Sequence, residues 1–161
     1  MAERELSREE RGLFNPGFTA LVCARAVQGH EQQYDTGCPL PVAVTAAVMA
    51  LQPSIRAALP ATLRTGLMGW LDANEAVRVA MGLNAAALAA VVRPGLLFAL
   101  QSDVLRLQGS GLTVAPRALG KAVKGGTEQN TAIQKAALQL GRWLPSTGSI
   151  STVMTLLGVQ A

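Results

Sequence analysis

The sequence predicts a mainly α, single domain over residues 1–161 with one β-hairpin, its elements in the order of a winged helix. Three observations predict it. Apolar residues recur at three- and four-residue spacing through most of the chain, between residues that start and stop helices. Half of the residues are apolar but only 4% are aromatic, so the core must be built from Ala, Leu and Val. The helical period gives way to alternation over 104–114, around Gly109-Ser110-Gly111, which is a hairpin signal.

Residues 1–11, "MAERELSREER", read as a polar arm or short helix and are no secretory signal. In "GLFNPGFTALVCARAVQGH", Asn15 can accept an orphan N–H of a first helical turn, and Pro16 falls where its missing N–H costs nothing. Phe18, Leu21, Val22 and Val27 follow at helical spacing and Gly29 reads as the stop, giving a helix over about 16–28. "GHEQQYDTGCPLP" reads as an irregular loop. Val42 to Leu51 is apolar on nearly every side and predicts a buried helix. Pro53 and Pro60 bound a short segment, and "PATLRTGLMGWLDAN" sets Leu63, Leu67, Trp70 and Leu71 on one stripe. Asn74-Glu75 opens a helical piece to about Met81, Asn84 reads as the cap of the Ala-rich stretch, and Pro94-Gly95 as its interruption before "LLFALQ".

Beyond the hairpin, "TEQNTAIQKAALQLGRWL" places Ile133, Ala136, Leu140, Trp143 and Leu144 on one face behind a Thr127 cap. "SISTVMTLLGV" forms a closing helix capped by Ser149 or Ser151 and stopped by Gly158. The expected division is N-terminal helices over 1–58, a winged-helix-like core over 59–116 with its hairpin at 104–114, and C-terminal helices over 117–161.

No apolar run reaches the roughly 18 residues of a membrane span; the longest, Val42 to Leu51, ends at Gln52-Pro53. Two lone thiols, Cys23 and Cys38, and no export signal predict a reducing, cytoplasmic location. His30 is the sole histidine, so no His-paired metal site can form in one chain, and its loop beside Glu31 predicts a solvated side chain. "RALGKAVKGG" has Ala115 where a phosphate loop needs Gly, and Ala122 where it needs Ser or Thr. Carboxylates are few and scattered, with no pair placed for acid–base work. The sequence therefore predicts no catalytic residues, no metal and no cofactor.

Charge is unevenly spread. Residues 1–103 hold eight Lys/Arg and nine Asp/Glu, whereas 104–161 hold six basic residues and only Glu128 acidic. Arg117, Lys121 and Lys124 are expected as an exposed patch between hairpin and helix, able to meet phosphate or an acidic protein surface. The helix before the hairpin, "NAAALAAVVRPGLLFALQ", offers Arg93 and Gln101 and otherwise methyl groups. That surface suits packing better than base readout, so any DNA association would be nonspecific and carried by phosphate.

Four stretches in order, "LFNPGFTALVCARAVQG", "LPATLRTGLMGWL", "LLFALQSDVLRL" and "LGRWLPSTGSISTVMTLLGV", resemble the middle component of three-component ABC systems from about residue 13 to 159. That family is proposed to belong to prokaryotic conflict (antiphage) systems, in which an ABC ATPase and a variable effector are encoded beside the middle component. The resemblance implies a non-enzymatic adaptor whose partners are that ATPase and effector; from the residues themselves, any nonspecific DNA contact is expected through the complex and no membrane partner is expected. It rests on Asn15, Pro16 and Phe18, on Pro60, Arg64, Thr65 and Trp70, and on Gly141, Arg142, Trp143, Leu156, Leu157 and Gly158. Of these, Arg64, Trp70 and Arg142 are candidates for a partner interface. Arg64, expected on a helix among apolar neighbours, is either an internal ion-pair partner or an interface hot spot, and the internal pair is favoured because buried charges are normally partnered.

Overall fold

The computed structural model describes residues 7–8, 14–124 and 126–159, so the expectation for 1–11 lies almost wholly outside the described residues. The fold is mainly α, with seven helices and a small antiparallel sheet among the described residues. In chain order these are α1 (Pro16–Gln33), β1 (Cys38–Pro39), α2 (Leu40–Ala50), α3 (Pro53–Ala58), α4 (Leu67–Ala73) and α5 (Glu75–Gln101). The hairpin strands β2 (Leu105–Gln108) and β3 (Gly111–Val114) follow, then α6 (Glu128–Trp143), a 3-10 turn (Leu144–Thr147) and α7 (Ile150–Leu157).

Local signals set several ends. Asn15 Oδ1 accepts the Phe18 N–H at 2.9 Å, with Pro16 in the first turn of α1. Thr127 Oγ1 accepts the Asn130 N–H at 3.1 Å to start α6, and Ser149 Oγ accepts the Thr152 N–H at 3.2 Å to start α7. Gly158 ends α7 in the left-handed region at φ 70°.

Three expected helix boundaries are absent. Gly29 does not stop α1, which continues to Gln33. Its glycine is needed elsewhere: a Cβ on Gly29 would run into the carbonyl of Leu138, and a Cβ on Gly141 into that of Ala26. The two glycines thus let the backbones of α1 and α6 meet at reciprocal points. Likewise Pro94-Gly95 does not divide α5, and Asn84 is inside that helix, where its amide donates to Gln52 Oε1 at 3.2 Å instead of capping. Pro94 sits on the exposed side, where water can satisfy the carbonyl one turn back, and Gly95 faces inward against Thr19 and Ala20 of α1.

α1 is the hub, packed on α5 and α6, with α2 lying against all three. The buried cluster draws on nearly every element, from Val22 and Val27 through Met49, Val92 and Leu112 to Trp143 and Leu157. The hairpin forms as expected, but its sheet has a third strand, in the order β1-β3-β2. Cys38 pairs with Leu112 and Pro39 with Gly111, in the middle of what read as an irregular loop. The sheet of the 59–116 segment is thereby shared with residues 38–39. A Cβ on Gly111 would overlap the Gly37 backbone, so this close pairing needs a glycine that has no local signature.

Candidate functional site

The residues nominated from the sequence scatter. Trp70 is 5% exposed, and its ring meets Trp143 edge-on, centroids 5.0 Å apart at 79°. It is a core residue, which corrects its nomination as an interface residue. Arg64 lies in an exposed turn before α4 begins at Leu67, with no ion-pair partner among the described residues. The internal ion pair favoured for Arg64 is therefore not formed. The helical stripe expected from Leu63 starts four residues late because carbonyls of residues 58–65 go to side chains instead of to a helix. Trp70 Nε1 donates to Ala58 O at 2.7 Å, Gln139 Nε2 to Pro60 O at 2.6 Å, Ser146 Oγ to Leu63 O at 3.3 Å, and Trp143 Nε1 to Thr65 O at 2.9 Å. Arg142 is half-buried on α6 beside this segment.

Arg117, Lys121 and Lys124 are all exposed on the stretch between β3 and α6, Arg117 in a left-handed turn at φ 64°. That stretch is tied down by Arg25, a residue with no role in the sequence-based expectation. Arg25, 6% exposed, donates from Nε to Gln134 Oε1 at 3.0 Å and from one terminal nitrogen to Gln28 Oε1 and Gly120 O, each at 2.8 Å. Gln28 Nε2 donates to the same Gly120 oxygen at 3.0 Å. Burial lowers the Arg25 pKa, and its partners here are neutral oxygens. An arginine on an otherwise apolar helix face was the available signal.

His30 is not in a solvated loop. It is 3% exposed in the last turns of α1, its ring tilted 39° against that of Tyr34 with centroids 4.7 Å apart, and burial lowers its pKa against a smaller opposing effect of the Thr36 backbone. Burial pushes the thiols of Cys23 and Cys38 up to about 12, so both stay protonated near neutrality.

The surface that stands out is on α5. Val79, Leu83, Ala86, Ala90, Pro94 and Leu97 are exposed and recur every three to four residues, so they share one face. Leu83 is 70% exposed, Val79 and Leu97 55% each, and neighbouring Phe98 46%. Along one flank runs a groove of about 770 Å³ between α2, α5 and the end of α7, lined by Val44, Val48, Ala85, Ala89 and Met154. Among the described residues Arg93 is the sole charged residue lining it, and it makes no ion pair with any of them. α5 is also long and apolar enough to cross a membrane, by length and composition only. That corrects the expectation of no such run, which followed from splitting the helix at Pro94. Its inward side is occupied by α1 and α2. The face is hidden in the sequence because helix periodicity shows two apolar sides here and cannot say which one is covered.

A family model described as "ABC-three component (ABC-3C) system Middle Component 3" matches residues 3–161. No curated protein and no solved structure matches the chain.

Proposed function

Because the chain belongs to the ABC-three component (ABC-3C) system Middle Component 3 family, we propose that it is the non-enzymatic adaptor of an antiphage defence system, joining an ABC ATPase to an effector through the outer face of α5. The observation that carries the reading is that face. An ordinary surface helix turns polar residues outward, whereas α5 turns out Val79, Leu83, Leu97 and Phe98. Contiguous exposed apolar surface of this kind marks an interaction site. Its occupant, in this reading, is an amphipathic helix of a system component, apolar toward Leu83 and Leu97 and carrying a carboxylate opposite Arg93.

Co-purification of the chain with its tagged neighbour-encoded components tests this. The wild type should be captured, and Leu83→Glu combined with Leu97→Glu should lose at least about 30-fold in affinity, the effect of one hot spot of about 2 kcal/mol. Thermal unfolding should show the double variant as stable as the wild type, since both side chains are already in water. A double variant that assembles normally overturns the face. A wild type that captures no component, or that binds lipid vesicles instead, overturns the adaptor role.

A second reading has its own observation. β1 lies between α1 and α2 and pairs with β3 of the later hairpin, a strand arrangement that supports kinship with winged helices, and the exposed Arg117, Lys121 and Lys124 could meet phosphate. Reversing all three charges should change stability by less than about 0.5 kcal/mol per site, checked by urea denaturation. If the loop touches DNA, the affinity of the assembled complex should fall and its salt slope shrink by up to about one unit per lost contact. Unchanged DNA binding with weakened assembly would give the loop a docking role, and no change in either would make it plain surface.

A further inference from the structure

We propose that the cleft between the 59–63 segment and α6 is a phosphate-binding site. Arg56 from the end of α3, Lys135 and Arg142 from α6, and Thr62 from the facing turn all line this cleft of about 660 Å³. No carboxylate lines it, and none of its three cations makes an ion pair among the described residues. Arg56 and Arg142 are half-buried, and burial lowers the Arg56 pKa. Arg56 places one terminal nitrogen on Ala50 O at 2.8 Å, but Arg142 Nε is shielded from solvent and donates to nothing.

Such an arrangement is costly when empty. Half-buried guanidinium groups normally find a counter-charge. Like charges brought to one cleft repel as well. An oxyanion among the cations relieves both costs together. Three cations call for more than one negative charge, and a phosphate monoester carries about −1.5 to −2 near neutrality, where a carboxylate carries one. The planar fork of N–H donors on a guanidinium group suits phosphate oxygens in general. Thr62 Oγ1 already accepts the Arg64 N–H, which leaves its own proton to donate. The wall is held in place beforehand by the side chains of Trp70, Gln139, Trp143 and Ser146 on the carbonyls of 58–65.

Among the described residues no aromatic side chain lines the cleft, so a nucleobase has no stacking platform there and the phosphate itself is the recognised group. Arg56 and Arg142 are half-buried in a cleft that a convex duplex backbone does not enter, which leaves free phosphate or a phosphorylated small molecule as the source. The proposal stands independently of docking through α5.

Calorimetric titration of the full chain with inorganic phosphate, pyrophosphate and ADP, at ionic strength matched with sodium chloride, tests it. Pyrophosphate should bind the wild type and raise its melting temperature. Lys135→Met and Arg142→Met should each weaken binding at least about tenfold, the loss expected for one hydrogen bond to a charged group. Arg117→Met, outside the cleft, should bind as the wild type does. ADP binding no tighter than pyrophosphate supports the phosphate as the recognised group, whereas much tighter ADP binding would show that the nucleoside is recognised and would overturn that assignment. Lys135 is exposed, so its variant keeps the test decisive even if Arg142→Met misfolds. The proposal is overturned if no phosphate probe binds above the chloride control, if Arg117→Met loses as much as the cleft variants, or if polyglutamate binds while the phosphate probes do not.

Discussion

Replacing Gly29 with alanine should destabilise the protein by about 3 kcal/mol, the upper range for overpacking a tight core. In an isolated helix the same change is stabilising by up to about 1 kcal/mol, because glycine is a poor helix former. The sign reverses because the added Cβ would overlap the Leu138 carbonyl, and backbone cannot rotate aside as a flexible side chain can. α1 and α6 would have to separate, opening the packing around Val27, Leu140 and Trp143. Gly141→Ala should cost a similar amount through the Ala26 carbonyl at the reciprocal point. The double variant should cost clearly less than the sum, since helices already pushed apart by one methyl make room for the other. Gly69→Ala on α4 is the internal control: the position is exposed, nothing lies within 4 Å of where an added methyl would stand, and the variant should gain up to about 1 kcal/mol. Urea midpoints of the four variants against the wild type would check this. Neutral behaviour of Gly29→Ala would mean that the close approach of α1 and α6 is not obligatory.

Truncating Trp143 to alanine should cost about 3–5 kcal/mol, as for other fully buried aromatic residues. Its ring is completely buried against Trp70, and its indole N–H holds the Thr65 carbonyl at 2.9 Å. Trp143→Phe separates those roles. It keeps most of the apolar contact but leaves the Thr65 carbonyl without its donor, a loss of about 1–3 kcal/mol. The consequence should be local as well as global. Segment 59–66 is irregular and depends on side-chain donors, so losing one should speed trypsin cleavage after the exposed Arg64 in the phenylalanine variant under conditions where the core stays folded. Cleavage at the wild-type rate would show that the remaining three hydrogen bonds suffice.

What the sequence determined by itself was whatever neighbouring residues control. Asn15-Pro16, Thr127 and Ser149 announce helix starts because a side-chain oxygen reaches an N–H only three residues away, and Gly158 announces an end because glycine takes the left-handed turn without a Cβ penalty. The hairpin was readable because a two-residue turn couples strands adjacent in the chain. Tertiary structure decided the rest. Gly29 and Gly95 carry the same residue type as a helix stop, yet their role depends on carbonyls and side chains of helices distant in sequence. The two residues of β1 have no strand signal of their own and become a strand because β3 offers them an edge. Arg25 finds Gln134 and Gly120 across about a hundred residues, and Trp70 turns inward because Trp143 is there to meet it. The apolar outer face of α5 and the cationic cleft follow the same logic: composition supplies the methyl groups and the charges, but only packing decides which remain without a partner.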